Sequence, residues 1–412
     1  MAIQGLRTTS NFATDERPKN WREGLLRLYP NGSIPLVGLT SMMKKRAVDD
    51  PEFNWWEKPV QTRRLELSGA SAVTASGTTI TVASGALGLK EGDLLYIENT
   101  EEQVRVVSDP TVDTAITVSR AWNGSATAVN ATTAGVNKFV HVIGSVYEEG
   151  SAAPTGVNFD PTKKYNYTQI FRNSLEITRT ASKTRLRTGD QVKEAKRECL
   201  EIHGVDMERA FWLGARKETV IKGKPARSLG GFKYLLDQYD SGSRVKNAVA
   251  DHASGVEMQH LEEYLYDIFK YGSNEKMAFC GNRSLLTIQQ IVRKNSQFQI
   301  TAGIKEYGMN VSRLDCPFGT LILKNHPLFN QLTGTNTGTN DYYGMESWMC
   351  VMDMTNIQYV HLKDSDTKYE PKQEANGIDG MQSGYLTECS LEIAQPETHY
   401  LIKNLTKAKV DA

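Results

Sequence analysis

The chain has 412 residues, too many for one hydrophobic core of ordinary size, so two or more domains are expected. Lys plus Arg equals Asp plus Glu at 48 each, which excludes a surface built as a whole to coat a polyanion or a membrane. The opening residues lack the apolar run of a secretory signal and no stretch reaches the ~20 apolar residues of a membrane span, so neither secretion nor membrane insertion is expected.

Residues 1–60 read as an arm, because Pro18, Pro30, Pro35, Pro51 and Pro59 punctuate short apolar pieces too closely for long helices. Leu36–Arg46 is expected as one short helix. Its basic run, Lys44, Lys45 and Arg46, either caps that helix or touches nucleic acid. From Ser68 to Ser145 the composition changes: Ser, Thr, Ala, Val and Gly supply more than half of the residues. Thr78–Val82, Leu94–Glu98, Gln103–Ser108 and Ala115–Ser119 are short β-branched runs between turn signals, which predicts a small β-barrel or sandwich. Charged, extended sequence resumes on both sides, at Gln61–Glu66 and Tyr165–Arg187, so this module reads as inserted into a hairpin. The outer segment, with Ile170, Ser174, Glu176 and Thr178 alternating, is expected as an exposed ribbon that needs a neighbour to hold it.

Gly189 and Asp190 can start a helix running to about Lys217, roughly 42 Å long at ~1.5 Å per residue. Its buried stripe is expected to hold Val192, Ala195, Cys199, Ile202, Ala210 and Leu213, with Glu208 among the residues on the other faces and Asp206 interrupting. Beyond it, helices at Val256–Tyr271 and Arg283–Asn295 alternate with strands at Lys276–Cys280, Asn310–Cys316, Thr320–Lys324, Trp348–Met352 and Ile357–Leu362. Gly334–Asn340 is a polar loop, and β pattern returns at Tyr385–Ile393 and His399–Ile402. Helices and strands are segregated, so the fold class is α+β.

Motifs for chemistry are missing. There is no GxxxxGK[ST], HExxH or GxSxG, and the seven histidines are scattered, so no cofactor, metal or catalytic residue is expected. The five cysteines are widely spaced and form no CxxC pair, as befits reduced thiols in a cytosol; Cys280 and Cys350, in MAFCG and WMCVM, fit buried strands better than a nucleophile. The adjacent pairs Glu101 and Glu102, Glu148 and Glu149, and Glu262 and Glu263 read as solvated charge.

Three stretches carry a resemblance: DPEFNWWEKP from Asp50 to Pro59, NYTQIFRNSLEITRT from Asn166 to Thr180, and LRTGD before the long helix. With the layout of the whole chain they resemble the tailed-bacteriophage major capsid proteins, whose fold is shared with herpesvirus shells, in a branch with a β-rich insertion in the extended loop. The resemblance implies an N-terminal arm (1–60), an extended loop (61–187) containing the insertion (68–145), a spine helix of the peripheral domain (188–220), a mainly axial domain (221–370) with the Pro317–Gly319 turn in its core, and a return to the peripheral domain (371–412). It implies that Phe53, Trp55 and Trp56 are contact points of the arm and that Arg172, Arg179, Arg185 and Arg187 line a ribbon facing another subunit. Burial of the tryptophans against the chain's own body is the other reading.

The function so implied is self-assembly into hexamers and pentamers of an icosahedral head enclosing double-stranded DNA, in the virion and first in the host bacterial cytoplasm. The implied partners are other copies of the chain, a separate scaffolding protein, a portal, a decoration protein and weakly held packaged DNA on the inner face, with no membrane. A tail or adhesion protein, and a polysaccharide-processing enzyme with a β accessory module, are the alternatives.

Overall fold

The computed structural model describes residues 43–407, apart from 59–62, 69–73, 125–128, 130–138, 185–188, 241, 296–299, 307–308 and 332–343. The chain forms two compact units, one of residues 56–163 and one of the segments that flank it. Most of the arm, and the polar loop at Gly334–Asn340, lie outside the described residues.

Lys44–Val48 (β1) is a strand and not the end of a helix. It runs parallel to Ile357–Leu362, where ladder hydrogen bonds hold it. The basic run faces carboxylates there: Arg46 lies 2.8 Å from Glu392, and Lys45 lies 3.2 Å from Asp366. Glu52–Glu57 (β2) follows, and from it the chain passes into the 56–163 unit.

That unit is an antiparallel sheet of Arg64–Glu66 (β3), Thr79–Thr81 (β4), Asp93–Ile97 (β5), Glu102–Val106 (β6), Ala115–Ser119 (β7) and Phe139–Ser145 (β8), in the order β3-β8-β5-β6-β7-β4. Its edges meet: Leu67 bridges Val82, and Ser68 and Ala83 donate backbone hydrogen bonds to Thr81 and Glu66, so the sheet closes on itself. Strict alternation sends Leu95, Ile97, Val104, Val106, Ile116 and Val118 inward, where they are buried. Glu102 departs from its expected solvated role. It is enclosed on β6 and grips Arg120 through two oxygens, at 2.6 and 2.8 Å, because the inward face of a strand buries any residue placed on it.

In the flanking unit, the segment expected as a free ribbon divides between two sheets. Thr162–Tyr167 (β9) pairs with β2, and Gln169–Thr178 (β10) pairs over ten residues with Gly380–Ile393. The expected hairpin partner, Arg64–Glu66, pairs with β8 instead. Alternate residues of β10, Phe171, Leu175 and Ile177, are apolar and buried, which gives the strand a core face that a solvent-facing ribbon lacks.

The long helix is Gln191–Leu213 (α1), about 34 Å at ~1.5 Å per residue. Asp190 caps it by accepting from the backbone N–H of Val192 and Lys193. The buried face runs through Cys199, His203, Met207, Glu208, Phe211 and Trp212, while Ile202, at 55 % exposure, and Leu213 point outward. This shift from the expected stripe follows from what the helix packs on: His203 hydrogen-bonds Asn173 on β10, at 2.7 Å, and Thr387 on the strand beside it, at 2.7 Å, so polar partners take inner positions. Glu208 likewise is fully buried, accepting from the Trp212 indole at 2.9 Å with His326 Nε2 2.6 Å away. The helix stops at Gly214, where a Cβ would meet the carbonyl oxygens of Ala210 and Leu229 at 2.5 and 2.7 Å. The hairpin Lys217–Ile221 (β11) and Lys224–Ser228 (β12) follows, then helix Phe232–Tyr239 (α2) and strand Val245–Asn247 (β13).

Further along the chain come helix Met258–Phe269 (α3), strand Glu275–Cys280 (β14), helix Asn282–Asn295 (α4), and strands Ile300–Glu306 (β15), Met309–Cys316 (β16), Gly319–Asn325 (β17), Met349–Met352 (β18), Ile357–Leu362 (β19), Lys368–Glu370 (β20), Gly380–Ile393 (β21) and Tyr400–Lys403 (β22), with short helical turns between some of them. Seven of the strands form one mixed sheet, β13-β22-β18-β14-β17-β16-β15. Its central strands are apolar on both faces. Met277, Phe279, Cys350 and Met352 pack with α1 and α2 on one side, while Ala278, Cys280, Met349 and Val351 pack with α3 and α4 on the other. The Pro317–Gly319 turn, expected in a core, is the surface loop joining β16 to β17, because a two-residue hairpin turn sits at a sheet end; Pro317 and Phe318 are exposed. A second sheet, β1-β19-β21-β10 with β20 also on β21, carries the first part of α1. Mixed structure with strands dominating describes the chain.

Lys276 is the least expected core residue. Its ammonium is enclosed and donates to three carbonyls, of Ile268 at 2.7 Å and of Tyr271 and Thr398 at 2.6 Å, closing the C-terminal end of α3. Burial pulls it down to about 8, against the opposing pull of Asp353, so it remains charged at neutral pH. His399 beside it accepts from the Asp353 backbone N–H at 3.1 Å, and burial pushes it down to about 4.

Replacing Lys276 with Met leaves three buried carbonyls without a donor and is expected to lower stability by about 3 kcal/mol in denaturant unfolding. A neutral His399 favours the folded state fully above about pH 6.5. Its contribution is lost as pH falls from there towards 4, so unfolding free energies measured between pH 7 and 4 should fall more steeply for the native chain than for His399→Gln.

Candidate subunit-contact surface

Strand β2 alternates, and the alternation sorts the three aromatic residues expected at a subunit contact. Phe53 and Trp55 point inward, with ring centroids 6.1 Å apart, and pack with Val48 and Val360, while Trp55 also sets its ring against the edge of Tyr239. Both are buried against these residues. Trp56 faces the opposite way and is 66 % exposed.

The ribbon arginines divide similarly. Arg172 sits on the outer face of β10 beside the exposed Ile170, and its guanidinium donates to Gln373 Oε1 at 3.2 Å. Arg179, just past the end of β10, pairs with Asp379 at 2.9 Å with both side chains well exposed. Such a pair adds little stability and is readily exchanged for another partner. Arg185 and Arg187 lie outside the described residues.

Sequence reasoning missed two further exposed apolar sites in the flanking unit: Val220 and Ile221 on β11, and the aromatic pair Tyr266 and Phe318 where α3 meets the β16–β17 turn. The β11–β12 segment did carry a signal, since Lys222-Gly223 between two β-branched or basic runs is a two-residue hairpin turn.

Nothing in these surfaces is arranged for bond-making chemistry. Cys280 on β14 pairs with Met349 and Cys350 on β18 pairs with Phe279, on opposite faces of the sheet in the core, where burial pushes the Cys280 thiol up to about 12 and that of Cys350 well above its ordinary value. Among the described residues no group of three His, Cys, Asp or Glu could hold a metal ion, and no helix is long and apolar enough to cross a membrane.

Known phage capsid proteins match this chain along most of its length. The model of the family described as SU10 major capsid protein matches residues 5–406. The chain is 25 % identical over 408 residues to the major capsid protein of Pseudomonas phage PaMx41, covering 95 % of this chain and 93 % of that one. Solved structures similar to it include the capsid of an empty GTA particle, at TM-score 0.49 and 8 % identity over 97 % of this chain and 99 % of that one. Another is the capsid of the cyanophage P-SCSP1u, at TM-score 0.47 and 8 % identity over 96 % of both chains.

Trp55→Ala is expected to lower the stability of the flanking unit by about 3–5 kcal/mol, as for other buried aromatic truncations. Arg179→Ala should leave thermal unfolding of the isolated chain unchanged, so any effect of that variant would register only in assembly.

Proposed function

We propose, from the premise that this chain belongs to the SU10 major capsid protein family, that its copies tile an icosahedral lattice of hexamers and pentamers around double-stranded DNA. The chain is a phage major capsid protein, a structural component of the virion and not an enzyme. The observation that carries the finer reading is the extent of the match, which spans residues 5–406 and so takes in both units and every strand and helix described above.

In this reading the long helix Gln191–Leu213 is the spine of a peripheral domain that also includes β10 and β21. The seven-stranded sheet with α3 and α4 is the core of the axial domain, clustered at capsomer centres. The closed sheet of residues 56–163 is the insertion in the extended loop. Trp56, Ile170, Arg172 and Arg179 are the outward-facing residues offered to neighbours, each contact weak and the lattice stable through multivalency. A separate scaffolding protein, a portal, a decoration protein and packaged DNA complete the assembly, which takes place in the host bacterial cytoplasm.

Sedimentation and negative-stain microscopy of the purified full chain, alone and with a co-expressed scaffold, test this. Capsomers, sheets or closed shells are the expected result. A monomer or dimer under every condition would sink it.

A further inference from the structure

The β11–β12 hairpin joins neither large sheet of its unit by strand pairing. It is a two-stranded sheet of its own, with every residue of β11 exposed, and an isolated hairpin of this size is marginal in water. Its base is nevertheless firmly held: the Gly231 N–H donates to the Gly214 carbonyl at 2.8 Å, where neither glycine has room for a side chain, and Ser228 Oγ donates to the Ala215 carbonyl at 2.6 Å. Its tip is a tight turn with Lys222 and Gly223 both in the left-handed region, at φ 50° and 75°. At that tip Val220 is 70 % and Ile221 58 % exposed, flanked by the ammonium groups of Lys222 and Lys224. A rigid base that presents β-branched side chains between two positive charges costs stability in a lone chain and gains it only on contact.

The complementary surface exists on the same unit. Between α3 and the β16–β17 turn lies an open groove of about 510 Å³ with Leu265 in its floor, the Tyr266 and Phe318 rings as an apolar wall 5.8 Å apart, and Glu262 and Glu263 on its rim. The groove is apolar within and acidic at the edge; the tip is apolar at its point and basic at its flanks. We propose that the hairpin tip of one copy, Val220 to Lys224, seats in the α3 groove of a second copy, with Ile221 against Tyr266 and Phe318 and with Lys222 and Lys224 facing Glu262 and Glu263. Tip and groove are different patches of one chain, so the contact is head-to-tail, and such a contact repeated by rotation closes into a ring. This rests on the assembly reading above and names a surface that would carry it; charge complementarity of this kind selects the partner and sets the register.

Charge reversal in the full chain tests it. Lys222→Glu with Lys224→Glu, and Glu262→Lys with Glu263→Lys, should each cut the fraction of protein in capsomers or shells by about tenfold, the like-charge penalty being the cause. The four changes together should restore it. Full assembly by either reversed chain, failure of the fourfold variant to recover, or loss through the groove variant alone, which would assign the groove to another partner, each overturns the contact. If a reversed chain fails to unfold cooperatively, Ile221→Cys with Glu262→Cys replaces it. Mild oxidation should then yield a ladder of covalent oligomers from the assembled protein, and its absence counts against the contact equally. Failure of the unaltered chain to assemble defeats the assembly reading itself, whereas normal assembly with indifferent reversals defeats only the tip and groove.

Discussion

The flanking unit depends on one long-range pairing, that of Gln169–Thr178 with Gly380–Ile393, ten residue pairs joining segments about two hundred positions apart. Strand β21 also pairs with β19 and with β20, so a single fourteen-residue strand collects β1 through β19, the segment before the long helix, and the short strand β20. The closure entropy of so large a loop grows only slowly with its length, but it must be met before any contact rewards it. What rewards it is the helix laid on top. Leu175 and Ile177 on β10 meet Cys199 on α1, and Phe171 joins Met207 and Phe211 in the larger core.

The flanking unit encloses several polar groups that hydrogen-bond within it. His203 bridges β10 and β21 from the helix, Glu208 holds the Trp212 indole beside His326, and Lys276 closes the end of α3 through three carbonyls. Each such group is costly if one partner is lost and nearly neutral when all are present, so together they favour one packing arrangement over others of similar apolar content. For a subunit that must present the same surface in many copies, a single well-defined body is the relevant property. The exposed Arg179–Asp379 pair and the small apolar tip at Ile221 lie on the surface of that body.

The surfaces left outward are of a consistent kind. Trp56, Ile170, Val220 and Ile221 are exposed apolar side chains on strands whose other residues pair or pack normally. Charged residues, among them Glu57, Arg172 and Lys222, lie near them in the sequence.

Local pattern made much of this legible. The β-branched runs of residues 68–145, the capping Asp190, the α3 stripe of Leu261, Leu265 and Ile268, and the apolar strands around Cys280 and Cys350 all depend on neighbours in sequence, and the periods of 2 and 3.6 record them. The resemblance carried by the arm and ribbon motifs named the family before any geometry. What tertiary structure alone decided is where distant segments meet. It turned the Lys44–Arg46 run into a parallel strand, gave β10 a partner near the C-terminus in place of Gln61–Glu66, and rotated the buried face of α1 from Ile202 to His203 and Glu208. Phe53 and Trp55 differ from Trp56 only in which side of one strand they occupy, and that side is set by the sheet they join. The reason is the same in each case: local sequence determines which residues share a face, while burial of that face depends on a surface contributed from elsewhere in the chain.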